Sequence, residues 1–173
     1  MHKGTFAAAF SEVKGKYRSR RYGDHFYQRE IHKKSYNQAI KTNADIVIFQ
    51  HNKIDDETRN ITVIPSLTDP KRYPSTDVFT MDDFSKKDQN WFYVIPGWTW
   101  DKLFKRAFVE SHNIHFQSTM IYNDMYFTYA ALSSASRVSY IPEILMSQRI
   151  NHKGRLSGKI QQGWHCIIQS LGA

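Results

Sequence analysis

Cysteine and long apolar runs are the two features that this sequence has least of. Its 173 residues include one cysteine, Cys166, so no disulfide can form within the chain, as is usual for proteins of a reducing compartment. No stretch approaches the run of about 20 apolar residues that a membrane-spanning helix needs. The apolar patch near the N-terminus is short and lacks the cleavage site of a signal peptide. We therefore expect a cytoplasmic protein.

The short motifs of several enzyme classes are also missing. There is no G-x-S-x-G nucleophile elbow, no Walker loop and no G-x-G-x-x-G dinucleotide fingerprint. His112 and His115 are three residues apart, but no second pair stands at ligand spacing, and a structural zinc site needs four ligands. The sequence therefore lacks the usual patterns of serine hydrolases, P-loop proteins and zinc fingers.

What the chain does contain is a globular composition with an excess of positive charge. Apolar residues make up 40% and aromatic residues 14%, and the formal net charge is +8. The length and composition suit one domain with a real core. A basic surface attracts polyanions, which include nucleic acids, anionic membranes and phosphorylated small molecules. The charge alone does not distinguish among these partners.

The clearest local pattern is a helix followed by a buried strand. Residues 28–42 have helix-forming composition, and Ile31, Tyr36, Ala39 and Ile40 recur near helical spacing. The polar segment at 43–45 ends this helix. The following run "IVIFQ" is β-branched and aromatic, which is typical of a buried strand. A helix and a strand joined by a short loop indicate an α/β unit.

Further elements follow from the same patterns. We predict a strand at 62–64, a loop at 66–76, a strand end with a short helix at 77–87 and a strand at 91–95. A helix should begin near Thr99 as its N-cap, with a buried apolar stripe and with Lys102, Lys105 and Arg106 facing water. A largely buried helix should begin at Asn123, before a strand at 138–141. The stripe of the first of these helices consists of Trp100, Leu103, Phe104, Ala107 and Phe108.

Two carboxylates are candidates for a catalytic or metal-binding role. Asp24 follows Gly23 in "RSRRYGDHFYQRE", and Asp124 follows Asn123 at the start of a helix. A nucleotide-sugar transferase needs one carboxylate for a divalent metal and another to take a proton from the acceptor hydroxyl. Taken singly, a solvated turn is the better explanation of Asp24, and a plain helix N-cap residue is the better explanation of Asp124.

The order of three segments resembles the family 2 glycosyltransferases. These are "YGDHFYQREIHKKSYNQAIKTNADIVIFQHN", "WTWDKLFKRAFVESHNIHF" and "IYNDMYFTYAALSSASRVSYIPEILMSQRINHKGRLSG", and the match covers residues 22–157. The resemblance implies an α/β chain with a truncated A-type glycosyltransferase fold, a mixed sheet flanked by helices. It implies a single partial domain over 1–173, with an eroded donor-side segment at 1–27, an acceptor-side part at 28–157 and a terminal helix at 158–173.

The resemblance also assigns roles residue by residue. Asp24 falls on the aspartate that binds a divalent metal, Mn²⁺ or Mg²⁺, and Asp124 falls on the general base. The acceptor side corresponds to Trp100, Asp101, Lys102 and Asn123, and the donor diphosphate site corresponds to Arg149, Arg155 and Ser157. Arginine suits this last task because its guanidinium pairs with phosphate oxygens. The implied ligands are a nucleotide-sugar and a glycan or cell-surface acceptor.

The departures from the family pattern concern the donor side. Tyr22 and His25 replace two aspartates of the metal-binding turn, Asn123 replaces a glutamate, and the first half of the family's domain has no counterpart. We therefore expect sugar transfer that is impaired or depends on a partner, with a catalytically inactive remnant or accessory subunit as the alternative. A homodimer or a partner chain would cover the sheet edge that the missing strands expose.

Two other partners follow from the charge. The arginines at 18, 20 and 21 stand beside Tyr17 and Tyr22, a combination that suits a basic nucleic-acid-binding module. No helix-turn-helix, zinc finger or RNA-binding signature accompanies them, so no specific nucleic acid is expected. The basic faces also suit peripheral contact with the anionic inner face of a membrane.

Overall fold

The computed structural model describes residues 6–8, 25–63, 69–118 and 123–151. The strands in this part of the chain are β1 (Phe6–Ala8), β2 (His25–Tyr27), β3 (Ile46–Asp55), β4 (Ile61–Thr62), β5 (Lys102–Lys105) and β6 (Val138–Ile150). The α-helices are α1 (Ile31–Thr42), α2 (Asp82–Ser85), α3 (Arg106–Ser111) and α4 (Asn123–Ser134), and short 3₁₀ turns occupy Pro70–Arg72 and Trp91–Tyr93.

The described strands form one mixed sheet. Its order is β1-β5-β3-β6-β2, and β4 pairs with the outer half of β3. The central pair, β3 with β6, is parallel, whereas β5 runs antiparallel to both β3 and β1 and β2 runs antiparallel to β6. The predicted mixed sheet flanked by helices is confirmed.

The predicted helix–strand unit is present as α1 and β3. The helix ends at Asn43, whose φ of 46° is left-handed and whose backbone N–H points back at the carbonyls of Ala39 and Ile40. Asparagine tolerates this conformation better than most residues. The strand begins at Ile46 as expected, but it continues to Asp55, beyond the five residues that the sequence suggested.

Helices cover both faces of the sheet because β3 is apolar on both sides. Ile46 and Ile48 face a cluster that includes residues of α2, α3 and α4: Phe84, Phe108, Phe127, Ala131 and Leu132. Val47 and Phe49 face α1 and pack with Ile31, Ala39, Leu103, Leu145 and Met146. A strand buried on both faces is typical of the parallel centre of an α/β sheet.

The helix predicted from Thr99 is wrong at its start. Lys102–Lys105 is strand β5, paired with β3, and the helix begins only at Arg106. Leu103 and Phe104 point to opposite faces of the sheet, and both are buried. The apolar residues that suggested a helix are therefore equally compatible with a strand that is buried on both faces. Lys102, predicted to face water, is completely buried. The pairing with β3 overrides the local helical pattern.

The strand predicted at 91–95 is also wrong. Trp91–Tyr93 forms a 3₁₀ turn whose N-cap is Asn90, which accepts a hydrogen bond from the Phe92 backbone N–H at 3.0 Å. Phe92 and Tyr93 are exposed, while Val94 and Ile95 are fully buried. The capping hydrogen bond of Asn90 favours a turn at Trp91–Tyr93, although the apolar composition of this segment favours a strand.

The later elements follow the predictions more closely. Helix α4 begins at Asn123, and β6 begins at Val138 but extends to Ile150. Tyr126, on the helix predicted to be largely buried, is exposed. The predicted short helix is α2, and Phe79 forms an isolated bridge with Val138 as the predicted strand end. The strand predicted at 62–64 is shorter, as β4, and the predicted terminal helix at 158–173 lies outside the described residues.

Candidate functional site

A buried ion pair lies where β5 begins beside the middle of β3. The Lys102 ammonium donates hydrogen bonds to the Asp101 carboxylate at 2.5 Å, to the Trp98 carbonyl at 2.7 Å and to the Pro96 carbonyl at 2.9 Å. The two side chains are 0% and 2% exposed. All three donors of the ammonium are therefore used inside the protein, and Lys102 ties the turn at 96–98 to the sheet.

Burial dominates the electrostatics of this pair. It raises the pKa of Asp101, and the adjacent Lys102 opposes that rise. It lowers the pKa of Lys102, and the charges of Asp101 and Asp124 oppose that fall. The carboxylate of Asp124, at the start of α4, thus lies within electrostatic range of the buried ammonium. Removal of either charge would leave the other in a medium that solvates it poorly.

The turn at 96–98 packs against the first half of α4. Burial raises the pKa of Tyr129, and the neighbouring Gly97 backbone opposes that rise. A Cβ at Gly97 would lie 3.0 Å from two atoms of the Tyr129 ring and 3.1 Å from Met125 Cγ, so only glycine fits without displacement. Lys102 holds the turn, and the turn packs against α4, whose first turn contains Asp124.

An aromatic wall adjoins the ion pair. Trp98 and Trp100 stack with ring centroids 4.7 Å apart, and the His51 ring meets Trp100 edge-on at 4.6 Å and Trp98 at 5.2 Å. His51 Nδ1 is 3.6 Å from the Asp101 carboxylate. This wall joins the ion pair to the outer half of β3.

The outer half of β3 carries polar side chains where the inner half is apolar. Gln50 and Asn52 continue the face that begins with Ile46 and Ile48, and both are buried. Gln50 donates a hydrogen bond to the Tyr140 hydroxyl. The ring of Tyr140 stacks on Tyr73 at 3.7 Å, and burial raises the pKa of Tyr140. Polar groups in a buried strand end are a common setting for ligand sites in α/β sheets.

The structure brings three of the predicted site residues together and places two others on different elements. Trp100, Asp101 and Lys102 are consecutive where β5 begins, and Asp124 is in the first turn of α4. Arg149 lies near the end of β6, paired in register with Ile54, and its guanidinium is 3.7 Å from the Asp56 carboxylate. Asn123 is the first residue of α4. Asp24, Arg155 and Ser157 lie outside the described residues.

Sequence reasoning missed several residues of this region, chiefly His51, Asn52 and Trp98. The run "QHN" that follows "IVIF" without a turn residue between them was a usable signal, because it continues a buried strand with polar side chains. Trp98 stands two residues before the predicted Trp100, but its contact with His51 depends on the path of the chain and has no local signature.

Metal ligands and membrane spans can be assessed only within the described ranges. Among these residues, no group of three or more His, Cys, Asp or Glu side chains is arranged to hold a metal ion. Asp24, the predicted metal ligand, is not among them, so its role stays a prediction. In the same part of the chain, no helix has the length and apolarity to cross a membrane.

Comparison with known proteins identifies the fold. No protein-family model matches the chain, and no curated protein matches it. Solved structures of TarS from S. aureus, a glycosyltransferase, do match. TarS 1–349 is 16% identical, with a TM-score of 0.54 over 73% of this chain and 33% of that one. Its complex with UDP-GlcNAc is 15% identical, with a TM-score of 0.56 over 78% and 34%.

These matches show a shared fold. The chain has a glycosyltransferase-like α/β fold and spans about a third of the length of the TarS 1–349 chains that it matches. A complex of TarS 1–349 with UDP is also similar, with 15% identity and a TM-score of 0.52.

Proposed function

We propose that this chain is the acceptor-side part of a nucleotide-sugar glycosyltransferase related to family 2. It would act in the transfer of a sugar from a nucleotide-diphosphate donor to a hydroxyl of a glycan or cell-surface acceptor. The observation that carries this proposal is the position of Asp124 in the first turn of α4, the helix that packs on the turn held by the buried Lys102. The likeness to TarS, which binds UDP-GlcNAc, supports it.

The proposed role of Asp124 is that of the general base. Its carboxylate takes the proton of the acceptor hydroxyl while that oxygen forms a bond to the anomeric carbon of the donor sugar. The bond from this carbon to the diphosphate oxygen breaks, and the nucleoside diphosphate leaves with the electron pair. Helix α4 holds the carboxylate in place because the turn at 96–98 is fixed to both α4 and Lys102.

Asp101 and Lys102 serve this reaction by position, since both are buried and bonded to each other. Trp100 remains partly accessible and is the aromatic surface proposed to border the acceptor, and Asn123 is proposed to contact the acceptor as well. Arg149, together with Arg155 and Ser157, is proposed to bind the donor diphosphate. A Mn²⁺ or Mg²⁺ ion on Asp24 would offset the negative charge of that group.

We expect the activity of the chain alone to be weak. Tyr22 and His25 stand where the family has aspartates, which reduces the oxygen ligands available to a metal. A partner chain that supplies further donor contacts, or a second copy of this chain across the sheet edge, would then raise the turnover. An accessory subunit without turnover of its own is the alternative.

The test is calorimetric titration of the purified chain with UDP and UDP-GlcNAc, with and without Mn²⁺, followed by an assay of UDP release. Asp124→Asn should retain donor binding and lose about 100-fold or more of the turnover, the usual loss for a general base. Asp82→Asn is the matched control, because Asp82 is an exposed carboxylate in the first turn of α2.

The outcomes separate the assignments. Equal loss of turnover in both variants, or none in Asp124→Asn, would remove Asp124 from the role of base. Binding without turnover would favour the accessory subunit. A chain that neither binds nor turns over any of these nucleotides would overturn the proposal.

A further inference from the structure

At the outer end of the sheet, the side chains of Asn52 and Arg149 each carry a buried polar atom that has no hydrogen-bond partner among the described residues. Asn52 is only 9% exposed, and over the described part of the chain nothing donates a hydrogen bond to its Oδ1. The same holds for Arg149 Nε, a buried N–H that reaches no acceptor within those residues. Buried polar groups in natural proteins are nearly always satisfied, so each exception calls for an explanation.

The register of the sheet places both atoms on the same face. In the parallel pair of β3 and β6, Asn52 is opposite Ser147 and Ile54 is opposite Arg149. Opposite residues share a face, and so do residues two apart on one strand. Asn52 and Arg149 are therefore diagonal neighbours on that face. Ser147 lies on the same face and adds a hydroxyl.

The two atoms require opposite kinds of ligand group. Arg149 Nε–H is a charged donor, which an anionic oxygen satisfies best. The Asp56 carboxylate, 3.7 Å from Arg149 Nη1, pairs with the other end of the guanidinium and is shared with Arg59 at 3.6 Å. Asn52 Oδ1 is an acceptor and needs a donor such as a hydroxyl. A molecule that carries an anionic oxygen and a hydroxyl a few ångströms apart satisfies both.

We propose that Asn52, Ser147 and Arg149 bind a sugar phosphate, with a phosphate oxygen on Arg149 and a sugar hydroxyl on Asn52. This inference rests on the proposed function, which it deepens by naming a residue that recognises the sugar beside the phosphate. Two sources share this chemistry, the nucleotide-sugar donor and a phosphorylated acceptor. Ordered water is the competing explanation for the two atoms.

The experiment is calorimetric titration of the full chain with five probes: N-acetylglucosamine 1-phosphate, free N-acetylglucosamine, inorganic phosphate, UDP and UDP-GlcNAc. Asn52→Leu should weaken the binding of the sugar phosphate about tenfold, as expected for the loss of one hydrogen bond. It should leave the affinity for inorganic phosphate unchanged. Arg149→Met should weaken the binding of the sugar phosphate and of inorganic phosphate by about tenfold or more. The matched controls are Asn37→Leu and Arg106→Met, which alter an exposed amide on α1 and an exposed cation on α3.

Thermal stability provides an independent readout. Asn52→Leu removes an unsatisfied buried acceptor and replaces it with an apolar group of similar size, so the Tm of the free protein should rise by about 2–4 °C. If ordered water satisfies Asn52, the same variant should lower the Tm and leave sugar phosphate binding intact. Should Asn52→Leu fail to fold, Asn52→Ala gives the same affinity comparison.

The probes also identify the source of the ligand. Weaker binding of UDP-GlcNAc but not of UDP in Asn52→Leu would assign the site to the donor sugar, whereas an effect on N-acetylglucosamine 1-phosphate alone would assign it to a phosphorylated acceptor. A wild-type chain that does not bind the sugar phosphate, or an Asn52→Leu chain that binds it normally, overturns the inference. The proposed function is judged separately, by turnover and Asp124→Asn.

Discussion

Asp101 and Lys102 are consecutive in the chain, and their charged groups lie 2.5 Å apart inside the protein. Consecutive residues within a strand point to opposite faces, so this contact depends on Asp101 preceding β5, which starts at Lys102. The carbonyls of Pro96 and Trp98 complete the environment of the ammonium. A buried cation therefore helps to hold the turn that packs against α4.

Removal of the Lys102 charge should destabilise the protein strongly. The loss of stability should be much smaller when Asp101 is neutralised in the same variant. Lys102→Met leaves Asp101 buried without its counter-charge and should destabilise the protein by about 3–5 kcal/mol in urea unfolding. The double variant Asp101→Asn with Lys102→Met should be clearly more stable than Lys102→Met alone. Lys86→Met, at the exposed pair with Asp83, should change little. Additive effects of the two buried substitutions would contradict the inferred coupling.

A methyl group at Gly97 should destabilise the protein. The Cβ of Gly97→Ala would lie 3.0 Å from the Tyr129 ring, so the ring or the turn must shift by a few tenths of an ångström, at a cost of about 1–3 kcal/mol. Unfolding in urea measures this cost. In a Tyr129→Leu background the same substitution should cost less, because the ring that it meets is gone; an equal cost in both backgrounds would point to backbone conformation instead.

The hydroxyl of Tyr140 should contribute to stability separately from its ring. Tyr140→Phe keeps the stack on Tyr73 but removes the acceptor that Gln50 uses. We expect a loss of about 1 kcal/mol, seen as a fall in Tm of about 2–4 °C. Tyr93→Phe is the control, since Tyr93 is 76% exposed. An unchanged Tm in Tyr140→Phe would mean that water replaces the hydroxyl without loss.

Acid should remove a specific contribution of Asp83. Hydrogen bonds from the Lys86 ammonium and from the Thr80 backbone N–H lower the pKa of Asp83 from 3.8 to about 2. A group whose pKa is lower in the folded state stabilises the protein above its unfolded pKa, and this effect is lost as the pH falls through the folded value. The Tm difference between wild type and Asp83→Asn should therefore shrink as the pH falls from 3.8 to about 2.

The control for this titration is Asp82→Asn, in the same turn of α2. Its Tm difference from wild type should not follow the same curve, because Asp82 lacks the contacts that Asp83 makes with Thr80 and Lys86. Identical curves for the two variants would assign the effect to net charge rather than to the contacts of Asp83.

Local patterns predicted the elements whose neighbours in sequence are also their neighbours in space. Helix α1 and the start of β3 follow from composition and from the break at Asn43, and α4 follows from its polar start and apolar length. The sequence could not predict β5, because Leu103 and Phe104 suit a helix and a strand equally well. Its pairing with β3 is a long-range interaction.

The residues of the candidate site were selected by the resemblance, and their roles stay predictions. The resemblance selected Asp124 and the segment at 100–102, and in that segment the structure shows the buried ion pair of Asp101 and Lys102. A lysine is expected on the surface, so the burial of Lys102 became visible only with the carbonyls of Pro96 and Trp98 around it. Asn52 has no local signature beyond its place in a buried strand. That its side-chain oxygen meets no hydrogen-bond donor among the described residues depends on the arrangement of the whole end of the sheet.

The parallel pairing of β3 with β6 also has consequences for how the chain folds. The seam runs from Ile46 opposite Val138 to Asp55 opposite Ile150, and every pair joins residues distant in sequence, so the entropy of loop closure opposes its formation. Contacts of this kind slow folding. Before β6 pairs with β3 during folding, the apolar β3 has an unpaired edge, and such an edge favours aggregation. We therefore expect the yield of soluble protein to depend on temperature and concentration during refolding more than on the stability of the folded state.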